Sequence, residues 1–129
     1  MPVRKFEASL RQERAHMILD LSGELDSAAE EKLDTIYTAA EKDNPSAIIL
    51  NFRNVEYMNS TGIALVVGLL ARARKDHRRL IVFGLSDHYT ELFNITRLSD
   101  YMDIFPDEPS ALTDSSGSPG VSQSSSGAR

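Results

Sequence analysis

The chain has 129 residues, 41% hydrophobic and 26% charged, a size and balance that suit one soluble globular domain and are too small for two. It contains no cysteine, so disulfides, thiolate metal sites and a cysteine nucleophile are excluded. The formal net charge of -5 argues against general nucleic-acid binding, which needs a basic footprint, and makes another protein the expected partner.

The first residues, Met1 to Lys5, are basic, but Glu7, Arg11, Glu13 and Arg14 interrupt any apolar leader after them. The longest apolar stretch, residues 62–71, is shorter than the roughly 20 residues that cross a bilayer. No membrane insertion and a cytoplasmic location are therefore expected, in keeping with the missing cysteine.

Val3 to Leu10 alternates loosely and reads as an edge strand. Ala15 to Leu21 places Met17, Leu19 and Leu21 at a period of two, a strand that Ser22-Gly23-Glu24 should break. Asp26 or Ser27 can cap the helix that follows, where Glu30 and Glu31 suit the positive end of the dipole. Leu33, Ile36, Tyr37 and Ala40 recur at helical spacing until Asn44-Pro45 stops it. Ala47 to Phe52 is a short apolar run fit for a buried central strand. A second helix is expected over residues 61–75, then a strand at Leu80 to Phe83 and a third helix at His88 to Ile95. Tyr101 to Phe105 reads as a last strand or turn. Strands alternating with helices give an α/β or α+β fold with helices laid over a small sheet. The domain is expected to end near residue 109, leaving residues 110–129, rich in Ser and Gly, as a disordered tail.

The informative segment is Tyr57-Met58-Asn59-Ser60-Thr61-Gly62, between a buried strand and an apolar helix. At its plainest, Ser60 is only a hydroxyl capping that helix. On the helix, Ile63, Val66, Val67 and Leu70 share the face expected to cover the sheet. Leu65 and Leu69 fall on roughly the opposite side, where either a neighbouring helix covers them or they form an apolar patch for a partner.

The run Met58-Asn59-Ser60-Thr61-Gly62-Ile63 resembles the phosphorylation motif of STAS-domain anti-sigma factor antagonists, usually Asp-Ser-(Ser/Thr)-Gly-(Leu/Ile/Val). Leu21-Ser22-Gly23-Glu24-Leu25-Asp26 resembles the Gly-Glu-Leu-Asp of that family. Ala47 to Phe52 and Ile81 to Leu85 resemble its next strands in order, and the likeness covers nearly all of residues 3–105. It implies a small mixed sheet of four to five strands with about four helices mainly on one face. It also implies that Ser60 is the serine a kinase modifies and that Asp26 lies close by in partner contact. Asn59, Thr61, Gly62, Leu65 and Leu69 complete the expected partner surface. Asn59 and Asn51 depart from the family, which commonly has Asp at both positions.

The function implied is partner switching. The unphosphorylated chain would bind an anti-sigma factor that is itself a serine kinase of the GHKL type, and a serine phosphatase would reset it. The chain would be a substrate, not an enzyme, without cofactor or metal, and a monomer or weak dimer. The alternative within the same resemblance is a non-phosphorylated scaffold or accessory subunit of a stress-signalling or transporter complex. A hydrolase is disfavoured, because no Gly-x-Ser-x-Gly elbow is present and His16, His77 and His88 are scattered. The basic cluster from Arg72 to Arg79 reads as helix C-terminal charge with a solvated turn, or else as an anion patch.

Overall fold

Six consecutive buried residues, Ala47 to Phe52, set the architecture of the computed structural model, which describes residues 4–115. They open strand β3 (Ala47–Met58). Successive side chains of a strand point to opposite faces, so an unbroken buried run needs cover on both sides. Ile48, Leu50 and Phe52 enter the main core, while Ala47 and Ile49 enter a second, smaller one.

The sheet has the order β1-β2-β3-β4-β5, built from β1 (Glu7–Glu13), β2 (His16–Leu25), β3, β4 (Arg79–Phe83) and β5 (Asp103–Phe105). β1 is an antiparallel edge, and the other pairings are parallel. Helices α1 (Glu30–Glu41), α2 (Ser60–Lys75) and α3 (Asp87–Ile95) carry the chain between successive parallel strands. Crossovers of one hand in a sheet laid down in sequential order must stack on one face. Accordingly Leu33 and Tyr37 of α1, Val66 and Leu70 of α2, and Tyr89 and Phe93 of α3 all enter the main core. The mixed sheet with helices mainly on one side is as expected.

Helix α4 (Glu108–Ser115) is not. It lies on the opposite face, where Ala111 is fully buried with Ile18, Ile49, Ile81 and Phe83. The expected boundary at residue 109 is corrected by this helix; the remainder of the expected tail, residues 116–129, lies outside the described residues. The start signal was present in the sequence. Asp107 accepts a hydrogen bond from the Ser110 amide at 3.0 Å, and Pro109 in a first turn loses no bond that the helix needs. Burial by α4 also explains why Ile18 is as inaccessible as Leu19, contrary to a simple alternation of Met17, Leu19 and Leu21.

Strand β2 does not break at Ser22-Gly23-Glu24 but continues to Leu25. Gly23 has a φ of +87°, and a Cβ there would lie 2.3 Å from the Lys5 carbonyl oxygen, so glycine lets the N-terminal segment cross closely. The Glu24 amide donates to the Arg4 carbonyl at 3.0 Å. Opposite it, β3 carries two extra residues, at the register shifts between Asp20 and Ser22 and between Gly23 and Glu24. Such bulges bend a strand and re-aim its end. The result is a β2–β3 ribbon that projects past β4, whose register stops at Asn51.

Candidate functional site

Leu25 pairs with Met58 at the tip of this ribbon, so the residues that follow each strand emerge side by side. One is Asp26, half-buried, whose Oδ1 accepts from the Ala28 amide at 3.0 Å and caps the 3-10 turn Ser27–Ala29 that leads into α1. The other is Asn59, whose Oδ1 accepts from the Gly62 amide at 2.9 Å and caps α2. The expectation that Ser60 is the cap is corrected. Asn59 holds the extended backbone a cap requires, while Ser60 is already the first helical residue. Ser60 is exposed, and its hydroxyl has no hydrogen-bond partner among the described residues.

Three contacts fix this turn. The Tyr89 hydroxyl, buried in the main core, accepts from the Met58 amide at 2.8 Å and donates to the Met58 carbonyl at 3.2 Å. The Asn59 amide reaches the Leu25 carbonyl at 3.4 Å. Gly62 lies so close to that carbonyl that a Cβ would sit 1.9 Å from its oxygen. Gly62 is therefore required for close approach rather than for partner contact. Tyr89 was visible in the sequence only as an apolar helix position; its spacing carries no sign of the clasp.

The seating of Gly62 also sets the rotation of α2. Gly62, Val66, Leu69, Leu70 and Ala73 face inward. Leu69, at 5% exposure, belongs to the main core, which corrects its assignment to a partner surface. Leu65 is half-buried against the same core. Val67, expected on the sheet side, is instead 40% exposed. The outward stripe that begins at Ser60 and Thr61 runs through Ala64, Val67, Gly68 and Ala71 with no charge before Arg74. A Cβ on Gly68 would meet nothing within 4 Å, so no packing inside the domain requires a glycine there.

At the other end of α2 the basic cluster is engaged. Arg72 bonds Asp34 and Glu41, each at 2.7 Å, and its guanidinium lies 4.7 Å from the Tyr37 ring centre. Arg78, expected in a solvated turn, is buried and bonds the Pro45 carbonyl, Asn44, Glu41 and Asp76. Arg79 bonds Asp103 at 2.8 Å.

Asn51, the other departure from the family pattern, lies on the α4 face. It donates to Asp20 at 2.8 Å, and Arg11 bridges Asp20 and Glu108. Burial would raise the Asp20 carboxyl, but hydrogen bonds from Arg11 and Asn51 bring it below its ordinary value. The bond from Arg11 also lowers Glu108. Asn51 and its partners therefore fasten β1, β2, β3 and α4 together, and Asn51 is a structural residue. Among the described residues no group of His, Asp and Glu side chains could hold a metal ion, and no helix is long and apolar enough to cross a membrane.

The sequence profile of the STAS domain matches residues 7–111. The chain belongs to the STAS domain family. An anti-sigma-B factor antagonist of Staphylococcus aureus (strain NCTC 8325 / PS 47) is 37% identical over 84 residues, which are 65% of this chain and 78% of that protein. The crystal structure of an anti-sigma factor antagonist from Mycobacterium paratuberculosis superposes with a TM-score of 0.74 at 19% identity, over 85% of this chain and 93% of that one. The Bacillus cell fate determinant SpoIIAA in its phosphorylated form gives a TM-score of 0.65 at 27% identity, over 84% of this chain and 99% of that one. Within this STAS domain, the sequence stretch 57–62 runs from the end of β3 through Asn59 into the first turn of α2, at the carboxyl ends of the parallel strands, with Tyr57, Ser60 and Thr61 exposed.

Proposed function

We propose that this STAS domain is an anti-sigma factor antagonist that acts by partner switching in the cytoplasm. The unphosphorylated surface around Ser60 docks an anti-sigma factor, itself a serine kinase of the GHKL type, and so frees a sigma factor. The kinase moves the γ-phosphoryl group of ATP to the Ser60 oxygen, and a serine phosphatase removes it. The observation that carries the reading is the exposed Ser60 hydroxyl, relieved of capping by Asn59. The name of the Staphylococcus aureus relative and the phosphorylated form of SpoIIAA support it.

The docking surface in this reading comprises Asp26, Asn59, Ser60, Thr61, the exposed α2 stripe and the accessible part of Leu65. Gly68 favours a partner on that stripe. Glycine inside a helix costs about 1 kcal/mol relative to alanine, and nothing within the domain demands it here. A closely approaching partner does demand it.

Phosphorylation adds about -1.5 to -2 charges and three acceptor oxygens. At a helix N-terminus an anion is well tolerated, so the domain keeps its fold and the change falls on docking. A loss of about 3 kcal/mol in binding lowers affinity more than a hundredfold, enough for an on/off decision. Incubation with candidate anti-sigma kinases and labelled ATP tests the assignment. Label should vanish in Ser60→Ala, and label that persists undiminished would sink it.

A further inference from the structure

Asn59 makes the capping bond of α2 through its side-chain oxygen. Aspartate has nearly the same shape, caps a helix as well, and gains in addition from the positive end of the dipole. Helix energetics alone thus prefers aspartate here, and the neutral side chain answers to something else. We infer that Asn59 favours the dianionic form of a phosphate on Ser60 at neutral pH, relative to a carboxylate at the same position; this rests on Ser60 being the modified residue.

One carboxylate already stands beside the turn that carries Ser60. Asp26 follows Leu25 directly, beside Asn59. Glu24 lies one residue before the end of β2, Glu30 and Glu31 begin α1, and Asp87 and His88 begin α3. Glu56 of β3 is paired with Arg4 at 2.6 Å. The second ionisation of phosphoserine falls near pH 6, and each adjacent carboxylate pushes it upward, because like charges disfavour the more charged form. A carboxylate at the residue directly before Ser60, screened by water, raises that value by about 0.5. The titration would then reach into the neutral range, and part of the phosphate would carry a single charge. With an amide at position 59, Asp26 is the carboxylate that stands beside the turn, and the modified state carries more of its second charge at neutral pH than it would with a carboxylate at 59.

The experiment uses the full chain carrying phosphoserine installed at position 60 by codon suppression, followed by phosphorus NMR from pH 4.5 to 8. Asn59→Asp should raise the phosphate midpoint by about 0.5, Asn59→Ser should leave it in place, and Asp26→Asn should lower it. Both substitutions at 59 retain a good cap, so the fold is kept. Equal midpoints for the native chain and Asn59→Asp would overturn the inference. Because the phosphate is installed without any kinase, a failure of enzymatic labelling at Ser60 would count against the proposed function alone and would leave this measurement standing.

Discussion

The two ends of α2 carry opposite kinds of surface. Around Arg72, Arg78 and Arg79 the sequence is dense in charge, yet those guanidiniums are taken up by carboxylates, carbonyls and an aromatic ring of the same domain. Around Ser60 the sequence is nearly neutral, yet the residue is exposed and its hydroxyl has no bond among the described residues. Charge density in a sequence therefore marks where a fold is held together as readily as where it acts. What distinguishes a reactive surface is a group that its own fold leaves unengaged.

The contrast can be broken at either end. Removing the buried guanidinium in Arg78→Ala leaves Pro45 and Asn44 without their donor and should cost about 3 kcal/mol in urea denaturation. The folded fraction should still bind its partner normally; a loss of partner affinity per folded molecule would place function at the basic end. Ser60→Asp should do the reverse. Affinity for the anti-sigma partner should fall at least tenfold by calorimetry, with stability changed by less than about 0.5 kcal/mol.

Two smaller effects sharpen the comparison. Asp20 and Glu108 titrate below their ordinary values when folded, so their bonds to Arg11 stabilise the domain above the ordinary carboxylate range, and that stability fades as pH falls through it. Arg11→Met should thus cost about 2 kcal/mol at pH 7, and the gap between variant and native protein should shrink below about pH 4. A gap independent of pH would show that the bridge contributes packing rather than charge. Gly68→Ala should stabilise the domain by up to about 1 kcal/mol while weakening partner binding. Unchanged affinity in that variant would remove α2 from the docking surface.

Much of this fold is legible in the chain, because residues buried on both faces, such as those from Ala47 to Phe52, leave an unbroken apolar run, and α1 and α3 keep their apolar spacing. The illegible parts have local causes. The outer half of β3 reads as polar because it overhangs β4 and carries bulges that disrupt the period of two. Helix α4 needs only Ala111 and its neighbour Leu112 to cover the second face, too few apolar residues to stand out from a Ser-rich end. The site was legible as a segment but not in its division of labour. Choosing Asn59 over Ser60 as the cap, and Val67 over Leu69 as the outward residue, depends on how Gly62 seats against Leu25, a contact between segments far apart in sequence.

The clasp of Tyr89 on Met58 has a kinetic consequence. A serine held between a pinned strand end and a capped helix is already exposed, and under the proposed function no slow rearrangement of the chain would have to precede its modification. In the proposed switch, the tempo of the response would then belong to the enzymes that add and remove the phosphate, and the domain would relay their balance without a delay of its own.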